Sequence, residues 1–177
     1  MDTNLIEKRI ASKQLFSGRM LKLRQDEVEL PNGSHAQREI IEHPGAVAIV
    51  PLLNQQVVLV RQYRYATEKI LLEIPAGKLN PNENPDECAA RELEEETGYK
   101  AKTLRKLSSV YTTPGFTNEI IHIYLAQDLI ETCSKPDEDE FIDREIYTYS
   151  QLSKLVNTGE IDDAKTLLGL FLAGILK

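Results

Sequence analysis

Four residues stand at a spacing that could do chemistry: Arg91, Glu92, Glu95 and Glu96. On an ideal helix with Glu92 at zero, Glu95 falls near about 300°, Glu96 near about 40° and Arg91 near about 260°. Three carboxylates then share one stripe. Ala89, Leu93 and Ala90 fall at roughly 60–160°, so the apolar stripe adjoins the acidic one and the acids stand at the margin of the core. In isolation such crowding is unfavourable. Like charges at i,i+4 cost a helix roughly 0.2–0.5 kcal/mol per pair, and the dipole at a helix C-terminus favours cations. A divalent cation removes the conflict, and an all-oxygen set suits Mg²⁺ or Mn²⁺. Taken alone, the same stripe is also what a solvated surface helix presents, with Arg91 as an ion-pair partner.

The helix that must carry these residues is well marked. Asn84 offers a cap, Pro85 fits the first helical position, and Glu87 stands three residues after the cap. Gly98 is a natural stop, because glycine accepts the left-handed conformation that ends helices. The pattern predicts a helix over 85–97. Around it the chain reads as strands. Residues 21–30 alternate, Pro31-Asn32-Gly33 signals a turn, and 38–43 resume, which predicts a hairpin. Residues 46–53 and 57–60 are nearly continuous apolar runs, as expected of strands buried on both faces. Further strands are expected at 70–74, 104–111, 120–126 and 141–148. A short helix is expected after Ser150 and a longer one near Asp162. This mixture suggests an α/β sandwich with mixed sheets, not a regular βαβ winding.

A length of 177 residues suits one domain with a real core. Trp is absent and there are four Phe, so aliphatic residues must fill that core. The net charge of −7 comes with no Lys/Arg cluster, which argues against a nucleic-acid partner. The same acidity would repel a phosphate substrate unless cations intervene. Cys88 and Cys133 form no CxxC pair, so no disulfide framework is expected and a reducing cytoplasm fits. The first ten residues lack the basic-then-apolar plan of a leader. The longest apolar run, 167–176, is shorter than the about 20 residues a membrane span needs, so no membrane partner is expected. His35, His43 and His122 lack metal-binding spacing and read as structural.

From Gly77 the chain reads GKLNPNENPDECAARELEEETGY. Gly77, Glu83, Arg91-Glu92, Glu95-Glu96 and Gly98 match G-x5-E-x7-R-E-U-x-E-E-x-G-U at every fixed position, with Tyr99 where an aliphatic residue is usual. The chain thus resembles the Nudix hydrolase family. The resemblance implies a Nudix-type α/β/α sandwich, here with mixed sheets and an N-terminal β-hairpin extension. It implies Mg²⁺, or Mn²⁺, held by Glu92 and Glu96 with help from Glu95 and the carbonyl of Ala76. Glu83 and Arg91 would orient the acids, with Arg91 and Glu95 serving catalysis. Members of the family hydrolyse a nucleoside diphosphate linked to another group, and bridging cations would reconcile two phosphates with an acidic protein.

Beyond the box, the chain resembles the ADP-ribose pyrophosphatase branch. Pro114, sixteen residues after Gly98, lies within Thr113-Pro114-Gly115-Phe116-Thr117-Asn118-Glu119. Arg38-Glu39-Ile40, His43-Pro44-Gly45-Ala46-Val47, Gln62-Tyr63-Arg64 and Asp163-Ala164-Lys165-Thr166 are also similar to that branch. By this resemblance Arg38 and Arg64 would hold the phosphates or stack on adenine, and Thr113 and Glu119 would meet the terminal ribose. Alternatively, each arginine is a surface ion pair and Pro114-Gly115 a simple turn. The run Asp137-Glu138-Asp139-Glu140 is either a solvated loop or the late acidic loop that supplies the base in this branch. In the second reading Glu138 is the base and Glu140 an extra metal contact. Residues 1–43 are expected to form a β extension that swaps onto a second copy, making a homodimer, with the hydrolase domain at 44–177. The expected activity is hydrolysis of ADP-ribose to AMP and ribose 5-phosphate. The alternatives are another nucleoside-diphosphate sugar, a triphosphate-cleansing enzyme, or a non-catalytic domain that senses ADP-ribose.

Overall fold

The computed structural model describes residues 5–135 and 140–176. In chain order the elements are β1 (Lys8–Ser17), β2 (Lys22–Glu29), β3 (His35–Glu42), β4 (Ala46–Leu53), β5 (Gln56–Arg64), β6 (Lys69–Glu73), β7 (Ala76–Lys78), α1 (Pro85–Thr97), β8 (Tyr99–Tyr111), β9 (Ile120–Glu131), β10 (Ile142–Thr148), α2 (Tyr149–Asn157) and α3 (Ala164–Leu172). They divide into two compact units. One holds the residues up to Gly45 together with Tyr111–Ile120, and the other holds Ala46–Val110 and the chain from Ile121 onward.

In the first unit β1, β2 and β3 form a three-stranded antiparallel sheet. The expected hairpin is β2–β3. Leu30 N donates to Ser34 O at 2.8 Å and Gly33 N to Leu30 O at 2.9 Å. Gly33 sits there at φ 82°, a conformation that favours glycine. The extension is nevertheless a three-stranded sheet, because β1 adds to the hairpin with a register shift on each side of its centre. Every residue of β1 is exposed, so no periodic apolar face announced it.

The second unit is built on β4. Its register is parallel to β9 from Ala46↔Ile121 to Pro51↔Ala126, and antiparallel to β7 and β5. The sheet runs β10-β5-β4-β9-β8, with β6 beside β5 and β7 beside β4. Side chains alternate across a strand, and β4 shows the result. Val47 and Ile49 pack with Cys88, Ala89 and Leu93 of α1 and with Tyr124. Ala48 and Val50 pack with Leu152 of α2 and Leu170 of α3. One apolar run thus faces helices on both sides, which is the α/β/α sandwich with mixed strands. The core is aliphatic as expected, and all four Phe are exposed. The helices α2 and α3 are equal in length, nine residues each. The expected longer last helix stops at Leu172, two residues before Gly174 at φ 74°. No helix among the described residues is long and apolar enough to cross a membrane.

Candidate active site

The acid-bearing helix forms for local reasons. The Asn84 side chain accepts a hydrogen bond from Asp86 N at 2.9 Å, Pro85 opens the helix, and Gly98 closes it at φ 69°. Its apolar stripe fixes its rotation: Ala89 and Leu93 are fully buried. Burying a leucine contributes about 1.5–3 kcal/mol. That rotation carries Glu92 and Glu96 inward, to 8% and 4% exposure, while Glu95 stays half-buried.

Arg91 holds this cluster together. Its Nε donates to Glu83 Oε1 at 2.8 Å and its Nη2 to Glu83 Oε2 at 3.0 Å. Its Nη1 donates to Glu92 Oε1 at 2.7 Å and to Glu95 Oε2 at 2.8 Å. The bond from Arg91 holds the Glu83 carboxyl down at about 2, and Glu83 Oε2 also accepts from Asn80 N at 2.8 Å. β7 supplies the opposite wall. Ala76 N donates to Glu96 Oε2 at 3.0 Å. A side chain on Gly77 would place its Cβ 1.9 Å from the Glu92 carboxyl carbon, so only glycine leaves room for that carboxylate.

The electrostatics follow from burial. Burial pushes the Glu96 carboxyl from its ordinary 4.5 up to about 8; the charges of Glu92 and Glu140 add to it, and the bond from Ala76 opposes it. Burial also raises Glu92, against the pull of Arg91. Arg91 thus shares one charge among three box carboxylates, Glu83, Glu92 and Glu95. Among the described residues no three His, Cys, Asp or Glu side chains already converge as a ligand set. The donors nevertheless suit a hard divalent cation: carboxylate oxygens and a backbone carbonyl, two of the acids nearly buried, beside a strand left bare by Gly77.

A second ionic group lies in the same unit. Arg64 grips Glu73 with two parallel bonds, Nε to Oε1 and Nη2 to Oε2, both at 2.8 Å. Lys165 bonds the same Glu73 carboxylate and pairs with Asp163 at 3.0 Å. Glu73 is 1% exposed. Burial alone would raise its carboxyl, but the bonds from Arg64 and Lys165 outweigh burial and hold it below the usual range. The Arg64 charge reaches Glu96 and lowers it. Sequence reading missed Glu73 and Lys165 as partners. The available signal was one acid inside the apolar run 70–74, where an unpaired carboxylate would be costly.

Arg38, Thr113 and Glu119 lie in the first unit. Arg38 pairs with Glu7, Nη2 to Oε1 at 2.5 Å and Nε to Oε2 at 3.0 Å. Glu119 accepts from Thr112 Oγ1 at 2.8 Å and lies 3.5 Å from His43 Nδ1. The Thr113 carbonyl accepts from Phe116 N and Thr117 N, closing the turn at Pro114-Gly115. Glu138 lies outside the described residues, and Glu140 is described next to that gap. Tyr99, the departure from the box, lies under Arg144, whose guanidinium carbon is 4.8 Å from the ring centroid. Arg144 Nη1 also donates to Thr97 O at 2.8 Å, placing a cation at the C-terminus of α1.

Comparison with known proteins agrees with this geometry. Residues 42–169 match the NUDIX domain, and residues 7–41 match a nucleoside diphosphate sugar hydrolase N-terminal domain. The chain is 47% identical to the ADP-ribose pyrophosphatase of Bacillus subtilis (strain 168) over 92% of its own length and 90% of that protein. It is also 47% identical to the methanol dehydrogenase activator of Bacillus methanolicus, over 93% and 90% of the two chains. A solved structure described as an ADP compounds hydrolase superposes with a TM-score of 0.86 at 26% identity, covering 96% of this chain and 94% of that one. With a complete box centred on α1, a helix-covered mixed sheet and a family match over most of its length, the chain belongs to the Nudix hydrolase family.

Proposed function

We propose that the chain hydrolyses ADP-ribose at its pyrophosphate bond, giving AMP and ribose 5-phosphate, with Mg²⁺ or Mn²⁺ as cofactor. The observation that carries this reading is the buried carboxylate pair Glu92 and Glu96, walled by the Ala76–Lys78 strand and both raised by burial. Glu92, Glu95, Glu96, the Ala76 carbonyl and Glu140 would hold the cation. When bound, it would neutralise the diphosphate and acidify a water. Arg91 orients the acids, since its fork reaches Glu83, Glu92 and Glu95 together. Arg64 and Arg38 would meet the phosphates or the adenine, and Thr113 and Glu119 the terminal ribose.

The base is assigned to Glu138. Glu92, Glu95 and Glu96 are acceptors committed to cations, whereas an acid on the separate 137–140 segment can approach an attacking water from the side opposite the leaving group. The ADP-ribose reading is supported by the name of the Bacillus subtilis relative. The name of the N-terminal match favours a second reading, another nucleoside-diphosphate sugar. A panel of ADP-ribose, other nucleoside-diphosphate sugars and triphosphates, assayed with Mg²⁺, separates these. ADP-ribose should give the highest kcat/KM, and Glu138→Gln should lower kcat by roughly 100-fold or more with KM little changed. Faster triphosphate cleavage would overturn the substrate assignment. Binding of ADP-ribose without cleavage would make the domain a sensor.

Residues 1–43 are further proposed to join two copies into a homodimer, with 44–177 as the hydrolase domain. Ile10, Leu15 and Phe16 on β1, with Leu5, Ile6 and Met20 in the segments flanking it, are exposed, apolar side chains that a second copy would cover. Light scattering should give about twice 20.0 kDa. An active species at the monomer mass would remove the swap.

A further inference from the structure

The Glu73 carboxylate is nearly inaccessible, 92 residues from Lys165 in sequence, and both of its oxygens are occupied. Two cations converge on it from different elements, Arg64 at the end of β5 and Lys165 at the start of α3. A stability role alone is a weak explanation for such a group, because a buried ion pair is often no better than an apolar replacement. What it does provide is geometry. Nε and Nη2 of Arg64 are taken by Glu73, so the guanidinium is held by one edge with Nη1 on the other. The Arg64 side chain keeps 38% exposure while its partner keeps 1%. A planar fork held along one edge presents its remaining N–H groups in a fixed direction, which a lysine cannot do.

The same segment also reaches the acid cluster. Ile74, next to Glu73, donates its N–H to Thr166 Oγ1 at 2.9 Å, and Thr166 Oγ1 donates to Asp163 Oδ2 at 2.6 Å. Two residues further on, Ala76 N holds Glu96. The stretch from Glu73 to Ala76 is therefore gripped by the start of α3 on one side and by the box helix on the other.

We propose that Glu73 is a positioning residue for substrate binding: clamped by Lys165, it holds Arg64 by one edge so that the Nη1 side is presented to a phosphate oxygen of the nucleoside diphosphate. This rests on the reading of Arg64 as a phosphate-binding residue. Kinetics should be run on whichever nucleoside-diphosphate sugar the wild-type protein cleaves best. Glu73→Gln keeps the size of the side chain, but its amide opposes the guanidinium donors. It should raise KM about tenfold with kcat changed less than about threefold, a loss of aligned binding rather than of chemistry. The half-saturating Mg²⁺ concentration should stay unchanged. In the Arg64→Ala background, Glu73→Gln should raise KM no further, because the group it positions is gone. Arg64→Lys, which leaves Glu73 with Lys165 and keeps the charge, should lose nearly as much as Arg64→Ala; this arm holds even if the Glu73 variant fails to fold. The proposal is overturned by an unchanged KM in Glu73→Gln, by additive effects in the double variant, or by a near-normal Arg64→Lys. A wild-type protein that cleaves none of these sugars would instead remove the proposed function.

Discussion

The Glu96→Gln protein is expected to lose turnover by about two to three orders of magnitude at saturating Mg²⁺ while keeping its fold. Glu96 is 4% exposed, and its oxygen already accepts from Ala76 N, which an amide oxygen can equally do. The substitution therefore removes charge without removing shape. The same variant should alter stability against pH. Burial raises the folded carboxyl from 4.5 to about 8. Between those values the unfolded chain has released the proton and the folded chain keeps it. Metal-free stability therefore falls as pH rises through that window, by on the order of 1 kcal/mol per pH unit at most, and the loss is complete above the folded value. Thermal melts in EDTA between about pH 5 and pH 8 should decline in the wild type and flatten in Glu96→Gln, and Mg²⁺ should restore the wild type at the alkaline end. Normal turnover in the variant, or full wild-type activity in excess EDTA, would reduce the cluster to an ionic surface.

Gly77→Ala is the second substitution with a large expected effect, and its signature is opposite in kind to that of a core mutation. The new methyl would stand 1.9 Å from the Glu92 carboxyl carbon and Oε1 and 2.4 Å from Oε2. No positive φ is required at Gly77, so the backbone itself accepts alanine. The carboxylate is the far end of a flexible side chain and swings aside. The sheet then survives, and the melting temperature should fall by only a few degrees, as for a change near 1 kcal/mol. Activity should fall roughly 10- to 100-fold, with a matching rise in the Mg²⁺ needed for half-maximal rate. Near-normal activity with the original Mg²⁺ requirement would show that Glu92 works from another position.

The parts of the fold that were legible in the sequence are those whose cause is local. The helix at Pro85–Thr97 could be delimited to the residue, because Asn84, Pro85 and Gly98 act within one turn of their own positions. The double-faced burial of β4 could be read from an apolar run with no polar interruption. β1 could not, since its ten residues are all exposed and only pairing with β2 makes them a strand. β7 is three residues long and carries a glycine, and pairing with β4 alone defines it. Of the candidate site, the acids of α1 were visible as a stripe. The fork of Arg91 to Glu83, eight residues upstream, needed the family pattern to suggest it. Of the tie between Lys165 and Glu73, only the acid within an apolar run showed locally; its partner, 92 residues away, did not.

The fork of Arg91 also bears on how the chain matures. Many small metal sites are unfolded until the ion arrives, because nothing else can hold their ligands together. Here a resident guanidinium already bridges Glu83, Glu92 and Glu95, so the fold carries its own provisional counter-ion. With the proposed cation, assembly would not wait for metal, and loading would be an exchange of one positive partner for another on a finished scaffold. Occupancy would then follow the free ion concentration of the surroundings, and the catalyst would be idled and restarted without being dismantled.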